Sequence, residues 1–344
     1  KAASEPLSAS PLANEPATAA WLTVLAAAAA GGMGWGIRGQ YGHETGAMIA
    51  GVLVSLVLVV RLAPTAALLP AARAAALGTI AMGFGGSMTY GQTIGLTQNS
   101  PVIGNVSALA WGMLGLAVKG GLWIGFAGLF LGLGLGRRRF GWLEMAAIAV
   151  AGVGLFFLGV WLINTPYDPA SRQLPSVSFS ADWRWEPDNA GLKPRPEVWG
   201  GMLLALLGSW AWVGLVRGER LACWLTLWGV LGGALGFPLG QCLQAGHAWN
   251  REWFATSPFA ALDGVMNWWN WMETSFGTVM GAALAIGLVR NRQLIGLPRA
   301  GSPRPAPAAT IDLPLPAELL LLATHVVLLV LCEIDAEVEP EWNR

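Results

Sequence analysis

The sequence predicts an all-α integral membrane protein of about nine transmembrane helices, glycine-rich, with one long extracytoplasmic loop. Three observations carry this. Only 12% of the residues are charged, about half of the roughly 25% usual for soluble domains, and the mean hydropathy is +0.53. Apolar runs recur at the length a bilayer demands, roughly 20 residues each. The arginines sort to one side of the layout those runs define.

The elements follow in order. Residues 1–18, rich in Pro, Ser and Ala, read as a flexible tail. Spans are expected near 19–37, 46–62, 74–92, 106–136, 141–163, 198–216, 221–243, 272–290 and 316–333, so that 19–290 forms the main helical domain. The fourth run is long for one simple span and contains Lys119 before paired glycines. It reads as strongly tilted or as two half-helices. Residues 164–197 form the long loop, whose Tyr167, Phe179, Trp183 and Trp185 favour an ordered flap over a linker. Residues 291–315 are a Pro-rich cytoplasmic linker, extended by composition, and 316–344 are a last span with an acidic tail.

Charge orients the layout. Arg61, Arg73, Arg137, Arg138, Arg139, Arg217, Arg220, Arg290 and Arg292 all fall in connections on one side, which the positive-inside rule makes cytoplasmic. The expected setting is the plasma (inner) membrane, with the N-terminus inside. Zero net charge gives no reason to expect a nucleic-acid partner. Cys223, Cys242 and Cys332 have neither metal-ligand spacing nor a disulfide pattern, and no metal or cofactor is indicated.

Three stretches resemble one another: "GGMGWGIRGQ" at 31–40, "GFGGSMTYGQ" at 83–92 and "GGALGFPLGQ" at 232–241. Each places clustered glycines before a Gly-Gln pair at the outer end of a helix running in the same direction. The copies suggest parallel internal repeats. Glycine also lets helices approach closely, and glutamine can simply mark the water boundary.

Polar residues gather towards the same end. Arg38, Gln40, His43 and Glu44 follow the first span. Gln92 ends the third. Gln241 ends the seventh, His247, Asn250, Arg251 and Glu252 follow it, Asn267 and Asn270 precede the eighth, and Glu273 opens it. Glu44 and Glu273 each open a helix, where a carboxylate is favoured by unpaired amides. Lys119 lies inside a span, where a charge is costly and implies a partner, expected to be Glu44 or Glu273. Together these residues suggest one outward-facing polar pocket, closed below by apolar packing. The nearby tryptophans lean the reading towards a small polar, carbohydrate-like solute that is bound or transported. A membrane-embedded enzyme of the outer leaflet and an accessory subunit of a larger complex, or a homo-oligomer, remain alternatives. The lipid bilayer is the partner common to all three.

Overall fold

The computed structural model describes residues 17–38, 44–86, 88–189 and 191–297, with isolated positions in 316–327. The chain divides into two compact units, 1–138 with 146–301 and 139–145 with 302–344. In the second unit the described residues are 139–145, where α6 begins, and the isolated positions above. The expected ninth span, the N-terminal tail and the Pro-rich linker lie largely outside the described residues.

The larger unit is helical throughout its regular structure. Its elements are α1 (Ala17–Gly36), α2 (Glu44–Leu62), α3 (Leu68–Gly85), α4 (Gly91–Gln98), α5 (Val106–Leu135), α6 (Trp142–Ile163), α7 (Trp199–Ala211), α8 (Arg220–Trp249), α9 (Arg251–Thr256) and α10 (Trp268–Arg290); α6 starts in the smaller unit. Eight of the described helical stretches are long and apolar enough to cross a membrane. Side chains start three of them: Asn105 caps α5, Glu219 caps α8 and Asn267 caps α10, each accepting from a backbone amide of the first turn. These bonds satisfy amides that the helix leaves unpaired.

Six helices close a circuit in which α1 packs on α2, α2 on α3, α3 on α5, α5 on α8, α8 on α10 and α10 back on α1. Burial separates the centre from the margin. Within its span 78% of α5 is buried, against 6% of α6. So α5 belongs to the circuit, and α6 is left largely uncovered by the described residues. Glycine makes the close seams possible. A methyl at Gly120 or Gly233 would overlap the other's carbonyl, joining α5 to α8, and Gly31 and Gly277 do the same for α1 and α10. Pro238 lies inside α8 without ending it, although it removes one backbone donor.

The third helix departs from expectation. It stops at Gly85, and a separate short helix starts at Gly91. The two nevertheless follow one line along α5. Gly134 of α5 meets Ala74, Gly78 of α3 meets Leu131, and Gly85 meets Trp123. Continuing in the same sense, Gly115 meets Thr93 and Gly112 meets Thr97. Thus α3 and α4 form one antiparallel companion to α5, interrupted at 86–90. Conversely, α5 is unbroken through Lys119. The interruption falls on its neighbour.

Two further boundaries move. Gly91-Gln92 opens α4 rather than ending a helix, and Gly240-Gln241 lies within α8, which continues to Trp249. The arginine-bearing ends agree with the predicted layout within the larger unit: Arg61 ends α2, Arg217 and Arg220 flank the α7–α8 connection, and Arg290 ends α10. We call this the arginine end of that unit. The opposite, loop end is where α1 finishes and segment 164–198 lies.

Candidate functional site

Within the circuit, five helices repeat one small pattern: an aromatic residue, and one helical turn towards the loop end a polar residue. The pairs are Trp35 and Arg38 on α1 and just beyond it, Tyr90 and Thr93 at the start of α4, Trp123 and Lys119 on α5, Phe237 and Gln241 on α8, and Phe276 and Glu273 on α10. The spacing of three or four residues keeps each pair on one helix face. The outcome is two layers about 5 Å apart, the rise of one turn.

The aromatic layer is continuous. Phe237 stacks on Phe276 with centroids 4.7 Å apart. Trp35 lies 4.6 Å from Phe276 and 5.0 Å from Trp123. Tyr90 joins it, 5.4 Å from Phe237 and 5.7 Å from Trp123. Such ring pairs add modestly to the free energy of burial, about 0.5–1.5 kcal/mol each. Here they also plug the centre of the circuit.

The polar layer holds two buried ion pairs. Lys119, 1% exposed, pairs with Glu197 Oε2 at 2.8 Å and donates to the Thr89 carbonyl at 2.6 Å and to Thr93 Oγ1 at 2.9 Å. An ammonium has three donors; two make hydrogen bonds and the charge is met by the Glu197 carboxylate. This corrects the expected partner, Glu44 or Glu273. Glu197 belongs to the long loop, which folds back against the helices. Phe179 enters the space left by Gly115, Trp111 Nε1 donates to the Ser178 carbonyl at 2.8 Å, and Glu197 Oε1 accepts from Phe179 N at 2.8 Å and Ser180 Oγ at 3.2 Å.

The second pair is Arg38 with Glu273, 2% and 1% exposed. Arg38 Nε and Nη2 each lie 2.9 Å from Glu273 Oε1, and Arg38 also donates to the Tyr90 hydroxyl. Trp269 Nε1 adds a third bond to Oε1, at 3.0 Å. All three contacts, two from Arg38 and one from Trp269, fall on the same oxygen. Among the described residues Glu273 Oε2 has no hydrogen-bond partner.

Two neighbouring amides share that condition. Gln241 lies one turn from Phe237, and Gln244 nearly one turn further. Gln241 Nε2 donates to Thr97 Oγ1 at 2.7 Å, while that hydroxyl donates to the Ile94 carbonyl at 2.7 Å. The hydroxyl proton is therefore committed, which fixes the amide with its oxygen turned away. Gln241 Oε1 and Gln244 Oε1 are buried without a partner among the described residues, as is Trp35 Nε1. A buried, unpaired polar atom costs about 1–3 kcal/mol, so acceptors left open on α8 and α10 require an explanation.

The other predicted residues are distributed as follows. Gln40 and His43 lie outside the described residues. Glu44 opens α2, with its side chain outside them. Gln92 is half-buried beside the loop, donating to the Lys193 carbonyl at 2.8 Å and accepting from Arg195 N at 2.7 Å. His247 stacks on Trp268 at 4.3 Å and lies 3.5 Å from Asp263, in an aromatic cluster at the loop end with Phe254. Asn250, Arg251 and Glu252 are exposed where α8 gives way to α9. Asn267 is exposed and caps α10 at Asn270 N, 2.8 Å away. So Arg38, Lys119, Gln241 and Glu273 enter the buried layer, while His247, Asn250, Arg251, Glu252 and Asn267 serve the surface, and Asn270 lies one turn from Glu273 on α10.

The residues that sequence reasoning missed are Tyr90, Thr93, Thr97, Glu197 and Gln244. Four had a signal. Tyr90, Thr93 and Thr97 recur at helical spacing in "TYGQTIGLT", and Gln244 follows Gln241 by three. Glu197 had none, because its role depends on the loop's path. Within that loop Arg184 bonds Asp182 at 2.6 Å, and the hydrogen bond to the Asp182 carboxylate pushes the guanidinium pKa upward. No group of three or more His, Cys, Asp or Glu able to hold a metal occurs among the described residues. Compared with known proteins, the chain matches no family model, no curated protein and no solved structure.

Proposed function

We propose that this chain is a membrane carrier for a small polar solute, which it seats in the polar layer between α4, α8 and α10, above the aromatic plug. The observation that carries the reading is the open Arg38–Glu273 pair. An intramembrane charge is a functional candidate by default, and this one keeps a buried carboxylate oxygen without a hydrogen-bond partner among the described residues, as Gln241 and Gln244 of the neighbouring α8 keep their amide oxygens. The interruption between α3 and α4 supports the same reading. Broken helices are tolerated in membranes where the loosened backbone is buried in protein or lines a cavity, and carriers place their sites at such breaks. A plugged centre argues against a continuously open pore, which would be wet along its length.

The test is uptake into vesicles reconstituted with the full chain, using radiolabelled glucose, myo-inositol, urea, phosphate and choline as probes. Saturable accumulation of at least one probe, lost in Glu273→Gln with helicity retained, is the expected result. No accumulation of any probe, or unchanged uptake by Glu273→Gln, overturns the proposal. Product formation without accumulation would favour the membrane-enzyme alternative.

A further inference from the structure

We infer that the arginine end of the larger unit carries a binding surface for an anionic phospholipid, built where the end of α5 meets the turn between α7 and α8. Two connections are tied together there. A side chain at Gly136 would overlap the Glu219 carboxyl group, and that carboxylate accepts from Arg138 N at 2.7 Å and from Leu221 N at 3.1 Å. Glu219 is 3% exposed, so it works inside the joint. The turn passes through Gly218 at φ 65°, a conformation that glycine takes without strain. Arg138 Nη2 lies 3.9 Å from where a Gly218 side chain would begin, which brings the guanidinium to the short run that holds Arg217 and Arg220.

Charge defines what this surface takes. The two connections carry Arg137, Arg138, Arg217 and Arg220 against the carboxylate of Glu219. Arg137, Arg138 and Arg220 are exposed. Arg137 donates to the Gln293 carbonyl, a neutral group that leaves its charge uncompensated. No ion pair to Arg138 or Arg220 occurs among the described residues. Every basic side chain described at this end is an arginine, whose planar fork fits two phosphate oxygens at once, where a lysine presents a point charge. Elsewhere at this end Arg61 lies against Thr23 Oγ1 at 3.4 Å and Arg290 over the Trp228 ring at 5.4 Å, so the joint is where unengaged guanidiniums gather.

The surface beside the cations makes the phosphate a lipid's. Arg220 opens α8, and Trp224, Leu227, Leu231 and Leu235 follow it at intervals of three or four, which keeps them on one helix face. All four apolar side chains are exposed. A guanidinium, then an indole, then leucines is the order of a membrane boundary read inwards. On the other side of the turn α7 ends in a π-helix, Trp212–Val216, a geometry found frequently at functional sites, with Leu215 and Val216 exposed. A soluble anion would gain from the cations alone. A phospholipid gains twice, with its phosphate on Arg138 and Arg220 and its acyl chains along the α8 stripe.

The experiment is native mass spectrometry of the full chain released from a neutral detergent, titrated with palmitoyl-oleoyl phosphatidylglycerol and, separately, with the phosphatidylcholine of the same chains. Phosphatidylglycerol is expected to bind at least about fivefold more tightly, the worth of one cation at an anionic surface. Arg138→Gln and Arg220→Gln should each weaken it about fivefold and together abolish the preference, while Arg251→Gln, at the loop end, leaves it unchanged. The Arg138 amide can keep its bond to Glu219 whatever the side chain; if Arg138→Gln nevertheless fails to fold, Arg220→Gln decides alone. Soluble glycerol 3-phosphate is the competing probe and should not displace the lipid. Displacement at matching concentration would mean a site for free phosphate and overturn the lipid assignment. Equal affinity for the two lipids overturns the surface, and so does a preference retained in the double variant.

Discussion

At the scale of residues, the two buried ion pairs of the polar layer differ in what else holds the cation and the carboxylate. Lys119 is held by Glu197, Thr89 and Thr93. It holds structure, tying the interrupted helix to the loop. Glu273 is left half-bonded. Removing one partner of a buried pair strands the other, at a cost of about 3–5 kcal/mol, whereas replacing both with well-packed neutral groups is often neutral. Lys119→Met should therefore lower the unfolding midpoint in detergent sharply. Lys119→Met with Glu197→Gln should recover most of the loss, and a double variant no better than the single would show that the two residues are not coupled. Half of this was legible in the chain. A lysine inside "AVKGGLW" must have a partner, whatever the fold. Its identity was not legible, because local spacing says nothing about a carboxylate that arrives from a loop almost eighty residues away.

At the scale of elements, glycine sorts by what faces it. Gly233 and Gly120 bring α5 and α8 into backbone contact, while Gly152 on α6 has nothing near its missing side chain. Alanine should act oppositely at the two places. Gly233→Ala forces two central helices apart and should destabilise by about 1–3 kcal/mol, the usual cost of overpacking. Gly152→Ala meets open space and should stabilise by up to about 1 kcal/mol through helix propensity. Thermal unfolding of the two variants checks the signs, and equal shifts would mean that the seam is looser than its contacts imply. The spans themselves were legible from apolar length, and the six-helix circuit was foreshadowed by glycine-rich stretches. The break after Gly85 was not. "GFGGSMTYGQ" reads as a helix ending, and only the register of Thr93 on Gly115 and Thr97 on Gly112 reveals that the line resumes. The depth of the polar residues was similarly half legible: the sequence brought Arg38 and Glu273 to one end, but could not separate them from Arg251 and Glu252, which the turn after α8 leaves exposed.

At the scale of the larger unit, the loop and the break form one device. Residues 193–197 bond the start of α4 at several points: Gln92 with Lys193 and Arg195, Thr89 Oγ1 with the Pro196 carbonyl at 3.1 Å, and Glu197 through Lys119 to the Thr89 carbonyl. On the other side, α4 supplies Thr97 to Gln241 and Tyr90 to Arg38. The short helix thus lies between the loop and the proposed seat, held by both. On the proposed carrier reading, a solute could pass the aromatic layer towards the arginine end only if an element beside it moved. The α4 element is the natural candidate, because the chain is already unwound at its start and it rests on the smooth glycine positions 112 and 115 of α5. Carriers commonly shift one packed element against another around a fixed site. Fastening α4 to the loop should then stop the cycle without destroying the fold. With Cys223, Cys242 and Cys332 replaced by Ser, Gln92→Cys and Arg195→Cys can be joined by a short bis-maleimide. Uptake of the responsive probe should fall to background on cross-linking and persist in the same protein left unlinked. Undiminished uptake after complete cross-linking would mean that the loop and α4 travel together, and the moving boundary would then have to lie on the α8–α10 side of the seat.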